Sequence, residues 1–167
     1  VQAGQAQVAE IAGAAGLLKL GQIRHAVFGV DPGDANRLIL ADVSGAGEMT
    51  SSADGGTTWQ PLPQLTEAVT DTGRFVFRIG ERTLPTVIEW DPYNRCHILV
   101  GTIQNGIIRS TDGGTTWARI KGSQAVTYIS SIYFPPEGDI WVSSNGRGLW
   151  SVRVDRGEGR GGCGRGD

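Results

Sequence analysis

The sequence predicts an all-β protein built from small antiparallel sheets that repeat along the chain. Three observations carry this. Gly makes up 26 of 167 residues; helices resist it, at about 1 kcal/mol per interior Gly, while tight turns use it at positive φ. Apolar runs are short and bounded by turn residues. The hexapeptide Asp-Gly-Gly-Thr-Thr-Trp occurs at 54–59 and again at 112–117, a spacing of 58 residues. An internal repeat of that period marks a solenoid, an array or a propeller.

The elements follow in order. Residues 1–22 read as an N-terminal linker or short helix, with Val8, Ile11, Ala15 and Leu18 at helical spacing. Its role is docking to a partner or packing on the domain edge. Residues 23–154 hold the repeats. The first unit has runs at Ala26–Val30, Arg37–Val43, Glu48–Ser52 and Thr57–Leu62. Asp31-Pro32, Ser44-Gly45 and Asp54-Gly55-Gly56 supply its turns. The second repeats that order with Thr86–Trp90, Asp91-Pro92, His97–Thr102, Gly106–Ser110 and Thr115–Ile120. The third is shorter: Ser130–Phe134, Asp139–Ser143 and Leu149–Val154, with no fourth run. Residues 155–167 contain six Gly and read as a disordered tail.

Composition narrows the function classes. Hydrophobic residues are 39% of the chain and charged residues 19%, which suits a packed core and not wholesale disorder. The formal net charge of -2 leaves no electrostatic footprint for nucleic acid. No apolar run approaches the roughly 20 residues that span a bilayer, so membrane insertion is not expected. His25 and His97 lack ligand spacing, and neither a metal nor a cofactor is expected. Cys96 lies in a strand-like run and Cys163 in the tail, and both are read as free. The compartment stays open, with the extracellular space or a cell or particle surface favoured.

Each residue of the repeated turn has a physical job. The carboxylates of Asp54 and Asp112 can accept from turn amides. Gly56 and Gly114 permit left-handed backbone. The hydroxyls of Ser52, Thr58, Ser110 and Thr116 can tie the flanking strands. Trp59 and Trp117 supply large apolar plates, expected to be largely buried between sheets. The pattern Ser-x-Asp-x-Gly-x-Thr-Trp resembles the Asp-box, or bacterial neuraminidase repeat. That repeat occurs in sialidases, xyloglucan-hydrolysing propellers, sortilin-like receptors and photosystem assembly factors. The resemblance covers roughly residues 23–154. It implies a partial β-propeller: two four-stranded blades plus a three-stranded one. It also implies that the Asp-box residues are structural, because in the family the box lies on the blade periphery.

Function is less constrained, since the family spans enzymes, receptors and scaffolds. Asp42, in Ala41-Asp42-Val43-Ser44-Gly45, resembles the Asp-Val-Gly-Gly turn that carries a catalytic Asp in xyloglucan-hydrolysing relatives. Asn145-Gly146-Arg147-Gly148-Leu149-Trp150 resembles their C-terminal end. A glycosidase needs a second carboxylate across the cleft, and none is identified. Phe77-Arg78-Ile79-Gly80 resembles the sialidase motif whose Arg grips a carboxylate, with Gly80 in place of its Pro. Arg165-Gly166-Asp167 forms an integrin-type tripeptide, which a Gly/Arg tail produces by chance. Trp90, Tyr128, Tyr133 and Trp141 are candidate glycan platforms. The leading expectation is therefore a non-catalytic scaffold or binding module for glycan or protein. The alternative is a fragment of a polysaccharide hydrolase.

An incomplete ring also implies partners. A propeller usually needs four to eight blades, so other chains or the remaining blades of a parent propeller are expected. Open faces lined by residues such as Val87, Ile98, Val100, Ile107 and Ile132 would forfeit several kcal/mol at roughly 25 cal/mol per Å².

Overall fold

The computed structural model describes residues 26–42, 47–78, 81–154 and Cys163. The predicted N-terminal helix and nearly all of the Gly-rich tail lie outside the described residues. Three antiparallel sheets follow one another along the chain, with four, four and three strands. The first comprises β1 (Ala26–Asp31), β2 (Asp34–Asp42), β3 (Glu48–Ser52) and β4 (Gln60–Pro61) in sequential order. A helix, α1 (Pro63–Thr70), and a hairpin of β5 (Val76–Arg78) and β6 (Glu81–Thr83) then intervene. The second sheet comprises β7 (Pro85–Asp91), β8 (Asn94–Thr102), β9 (Ile107–Ser110) and β10 (Ala118–Arg119). The third comprises β11 (Ile129–Tyr133), β12 (Ile140–Ser144) and β13 (Gly148–Val152).

The first strands of the sheets are neighbours: β1 packs on β7, and β7 on β11. Sheets therefore stack face to face as blades of a partial propeller. Strand periodicity sets which residues meet, because alternate side chains point to opposite faces. Val27, Ile39, Ala41 and Met49 of the first sheet meet Ile88, Trp90, Ile98, Val100 and Ile108 of the second in one core. Leu99 and Ile107 of the second meet Ile129, Ile132, Phe134, Ile140 and Val142 of the third in another. The expectation that Val87, Ile98, Val100, Ile107 and Ile132 line open faces is corrected. All five pack at a junction between sheets of this chain, with Val87 only partly buried there. The outward faces carry other residues: Phe28 and Val30 on the first sheet, and Tyr133, Trp141 and Leu149 on the third.

The helix is local in origin. Pro63 starts it, where a missing N–H costs nothing. Leu65 and Val69, one turn apart, are buried in the first core. Asp71 ends it in left-handed backbone at φ 58°. The side-chain amide of Asn105 donates to the Val69 carbonyl at 2.6 Å, and Arg119 donates to Asp71 at 2.5 Å. The connector is thus fastened to the second sheet.

The cysteines are not free. Cys96 and Cys163 form a disulfide across a sequence separation of 67. Cys163 lies against Gly113 of the turn that joins β9 to β10. Spacing could not reveal this, because a contact between residues so far apart in sequence is a tertiary event.

Candidate functional site

The repeated turns form twice with the same bonds. The Ser52 hydroxyl donates to Asp54 Oδ1 at 2.8 Å and accepts from the Gly56 N–H at 2.9 Å. Ser110 does the same with Asp112 and the Gly114 N–H, both at 2.8 Å. Asp54 also accepts from the Thr58 N–H at 2.9 Å and the Thr58 hydroxyl at 2.6 Å. Asp112 accepts from the Thr116 N–H at 2.9 Å and its hydroxyl at 2.5 Å. Gly56 and Gly114 stand at φ 88° and 96°, where a side chain would be strained. Each indole N–H points back into its own turn: Trp59 donates to the Gly56 carbonyl and Trp117 to that of Gly114, both at 3.0 Å. Trp59 and Trp117 are half-buried, not largely buried as expected. Each ring lies over its turn at the sheet edge, and Trp117 packs against the margin of the first core.

These bonds engage the carboxylates inside the turn. The Thr58 hydroxyl and N–H, then Ser52, bring Asp54 down to a pKa of about 2. At Asp112 burial pushes the carboxyl up, but the bonds from Thr116, Ser110 and Thr115 outweigh it and the pKa falls. An acid held this low and this fully bonded is a poor proton donor near neutral pH.

Asp42 ends β2 opposite Ala26 and Glu48, and its side chain lies outside the described residues. Its place in the repeat is informative. The last residues of β8 and β12, Thr102 and Ser144, hold the matching position. The Thr102 hydroxyl donates to the Gly106 carbonyl at 2.7 Å and accepts from the Asn105 N–H. The Ser144 hydroxyl bonds the Thr127 carbonyl. Arg78 ends β5 in the inserted hairpin, and its side chain is likewise outside the described residues. The tripeptide Arg165-Gly166-Asp167 also lies outside them.

The aromatic candidates separate. Trp90 is only 5% exposed and sits in the first core against Gly29. It is not a stacking platform, which corrects the expectation. Tyr128 is exposed and adopts φ 52°, its N–H bonded to the Ile103 carbonyl at 2.7 Å. Tyr133 and Trp141 are exposed and directly opposite each other across β11 and β12.

An ionic cluster escaped the sequence reading. Asp31, which ends β1, accepts from Arg37 of its own sheet and from Arg95 of the next. At the matching place in the second sheet, the Nδ1 of buried His97 lies 3.3 Å from Asp91. The signal was the repeated Asp-Pro, read only as a turn. A cavity of about 220 Å³ lies between the first two sheets, bordered by Arg37, Ser51, Thr58, Gln60 and Trp90, with no carboxylate among its lining residues. Among the described residues no three His, Cys, Asp or Glu gather as a metal site.

No family model and no curated protein matches the sequence. Solved structures do resemble its fold. The GH74 enzyme of Niastella koreensis is 23% identical with a TM-score of 0.50, over 75% of this chain and 20% of that one. The GH74 xyloglucanase of Xanthomonas campestris is 20% identical with a TM-score of 0.57, over 74% and 20%. YCF48 from Cyanidioschyzon merolae is 15% identical with a TM-score of 0.51, over 86% and 37%. At these identities the likeness is one of fold. The chain spans about a fifth of the two GH74 proteins and little more than a third of YCF48.

Proposed function

We propose that this chain is a non-catalytic β-propeller module, a scaffold or binding surface for a glycan or protein ligand. It works within a larger assembly or a longer parent chain. The observation that carries this reading is the set of exposed apolar side chains on the outward sides of the end sheets, Phe28 and Val30 on the first and Tyr133, Trp141 and Leu149 on the third. Contiguous exposed apolar residues of this kind mark a contact surface.

In this reading the repeated turns are Asp-boxes that close hairpins. The Cys96–Cys163 disulfide supports an oxidising setting, extracellular or at a cell or particle surface.

The competing reading is a fragment of a xyloglucan-hydrolysing propeller with Asp42 at its cleft. The GH74 likeness supports it only as far as the fold. The two separate in one assay, incubation of the isolated chain with xyloglucan or a sialylated oligosaccharide. The module releases no reducing sugar and no sialic acid, and Asp42→Asn changes nothing. Turnover that vanishes in Asp42→Asn establishes the hydrolase instead.

A further inference from the structure

The two sheet junctions differ at one register position. Ser51 of β3 lies opposite Ile39 on one side and Gln60 on the other, one residue before the turn serine Ser52. Its match in the second sheet is Arg109, opposite Leu99 and Ala118 and one residue before Ser110. Ile39 and Leu99 each face the following sheet, and residues directly opposite share a face, so Ser51 and Arg109 face it too. A long side chain thus holds that place at the second junction. At the first, a small hydroxyl residue borders the cavity of about 220 Å³.

A cavity of about 150 Å³ takes benzene, so this one has room for a six-membered ring with a polar group attached. Ile39, Leu62 and Trp90 give it apolar walls, and the exposed Thr58 and Gln60 lie at its rim. The hydroxyls of Ser52 and Thr58 already serve the turn. The Ser51 hydroxyl and the Gln60 amide make no bond to another described residue. Arg37 has two of its five donors engaged, on Asp31 and on the Gly113 carbonyl. Trp90 also borders the cavity, and its indole N–H is enclosed without an acceptor among the described residues.

Charge narrows the ligand. No carboxylate lines the cavity to receive a cation. An anion is disfavoured as well, because Asp54 and Asp112 stand directly behind the wall, bonded to Thr58 and to the turn that holds Gly113 and Gly114. Asp31 also takes up part of the charge of Arg37. A neutral group that both accepts and donates suits the remaining partners.

We propose that this cavity binds a small neutral amide carried on an apolar ring, of the size of benzamide. The carbonyl accepts from Arg37, the amide nitrogen donates to Ser51 and Gln60, and the ring packs against Ile39, Leu62 and Trp90. The site belongs to the sheet junction, and it holds for a binding module and for a hydrolase fragment alike.

The test is titration of the full chain with benzamide, read by the Trp90 indole N–H resonance, which Trp90→Phe identifies. The resonance should shift and saturate at about millimolar concentration or below. Benzoate, benzylammonium and toluene should each bind at least about tenfold more weakly. Ser51→Arg, which copies the second junction, should abolish the shift. Gln60→Ala, at an exposed position, should weaken binding about fivefold and covers a failure of Ser51→Arg to fold. Absence of a saturable shift would make the cavity a water pocket and overturn the proposal. Benzoate binding as well as benzamide would overturn the neutral assignment, and toluene doing so would overturn the role of the polar wall. Undiminished binding in folded Ser51→Arg would place the ligand elsewhere. All of these readouts are separate from Asp42-dependent hydrolysis, on which the module reading stands or falls.

Discussion

Arg95 reaches from the second sheet to Asp31 in the first, with Nε on Oδ1 at 2.6 Å and Nη2 on Oδ2 at 2.9 Å. Arg37 adds a third bond to the same carboxylate at 2.8 Å and uses its other nitrogen on the Gly113 carbonyl at 2.9 Å. The Asp31 side chain is fully enclosed. Two guanidiniums thus share one carboxylate across the junction of the sheets.

Asp31→Ala should lower the unfolding free energy by about 1–2 kcal/mol, because it removes three charge-assisted hydrogen bonds from guanidiniums that remain partly open to water. Urea unfolding followed by fluorescence reads the change. Arg95→Ala should cost less, since Arg37 still holds Asp31. An Arg95 variant as damaging as Asp31→Ala would show that the inter-sheet bond dominates.

Acid should weaken the fold before it protonates the native turns. Asp54 titrates at about 2 when folded, against an ordinary 3.8. Asp112 and Asp31 are also lowered, the hydrogen bonds outweighing burial at both. Groups lowered on folding contribute stability that is complete above the unfolded pKa. It is lost as pH falls through the folded one. The unfolding midpoint should therefore be flat above about pH 5 and decline towards pH 2. Asp54→Asn should flatten that decline; an unchanged slope would remove the turn from the account.

The disulfide closes a loop around the entire third sheet. For a sequence separation of 67, chain entropy alone allows about 4 kcal/mol of stabilisation. Cys163→Ser, or a reductant, should lower the thermal midpoint. Hydrogen exchange should quicken most in β11–β13. Uniform quickening across all three sheets would show that the bridge does not hold the third sheet in particular.

Trp117→Ala should cost about 2 kcal/mol, less than the 3–5 kcal/mol typical of a fully buried Trp. Its ring is half-buried against the first core. Trp117→Phe should recover part of this by restoring the plate without the N–H that bonds Gly114. Calorimetry on both variants separates packing from hydrogen bonding.

The sheets were legible because their information is local. Asp-Gly-Gly-Thr-Thr-Trp specifies a turn through its own side chains, and alternating residues such as Ile98 and Val100 mark one strand face. What escaped was made by distance. Asp31 meets Arg95 from 64 residues away, and Cys96 meets Cys163 across the tail. The helix Pro63–Thr70 was missed for another reason: eight residues with two buried apolar positions give too little periodicity to stand out. Trp90 misled because an aromatic residue in an alternating strand reads alike whether its face is wet or covered.

The strand β8 has a consequence for the repeats as building blocks. Ile98 and Val100 serve one core while Leu99 serves the other, so this run must be apolar without interruption. Its counterpart in β12 reads Ile140, Trp141, Val142, with an exposed residue between two enclosed ones. The units look interchangeable by their turns, yet each is tailored to its rank in the row. A chimera that places the third unit between the other two would bury Ser131 and Ser143 where Val87 and Gly101 now lie. Duplication alone therefore cannot lengthen such a row: every new copy must first relearn which of its sides is interior.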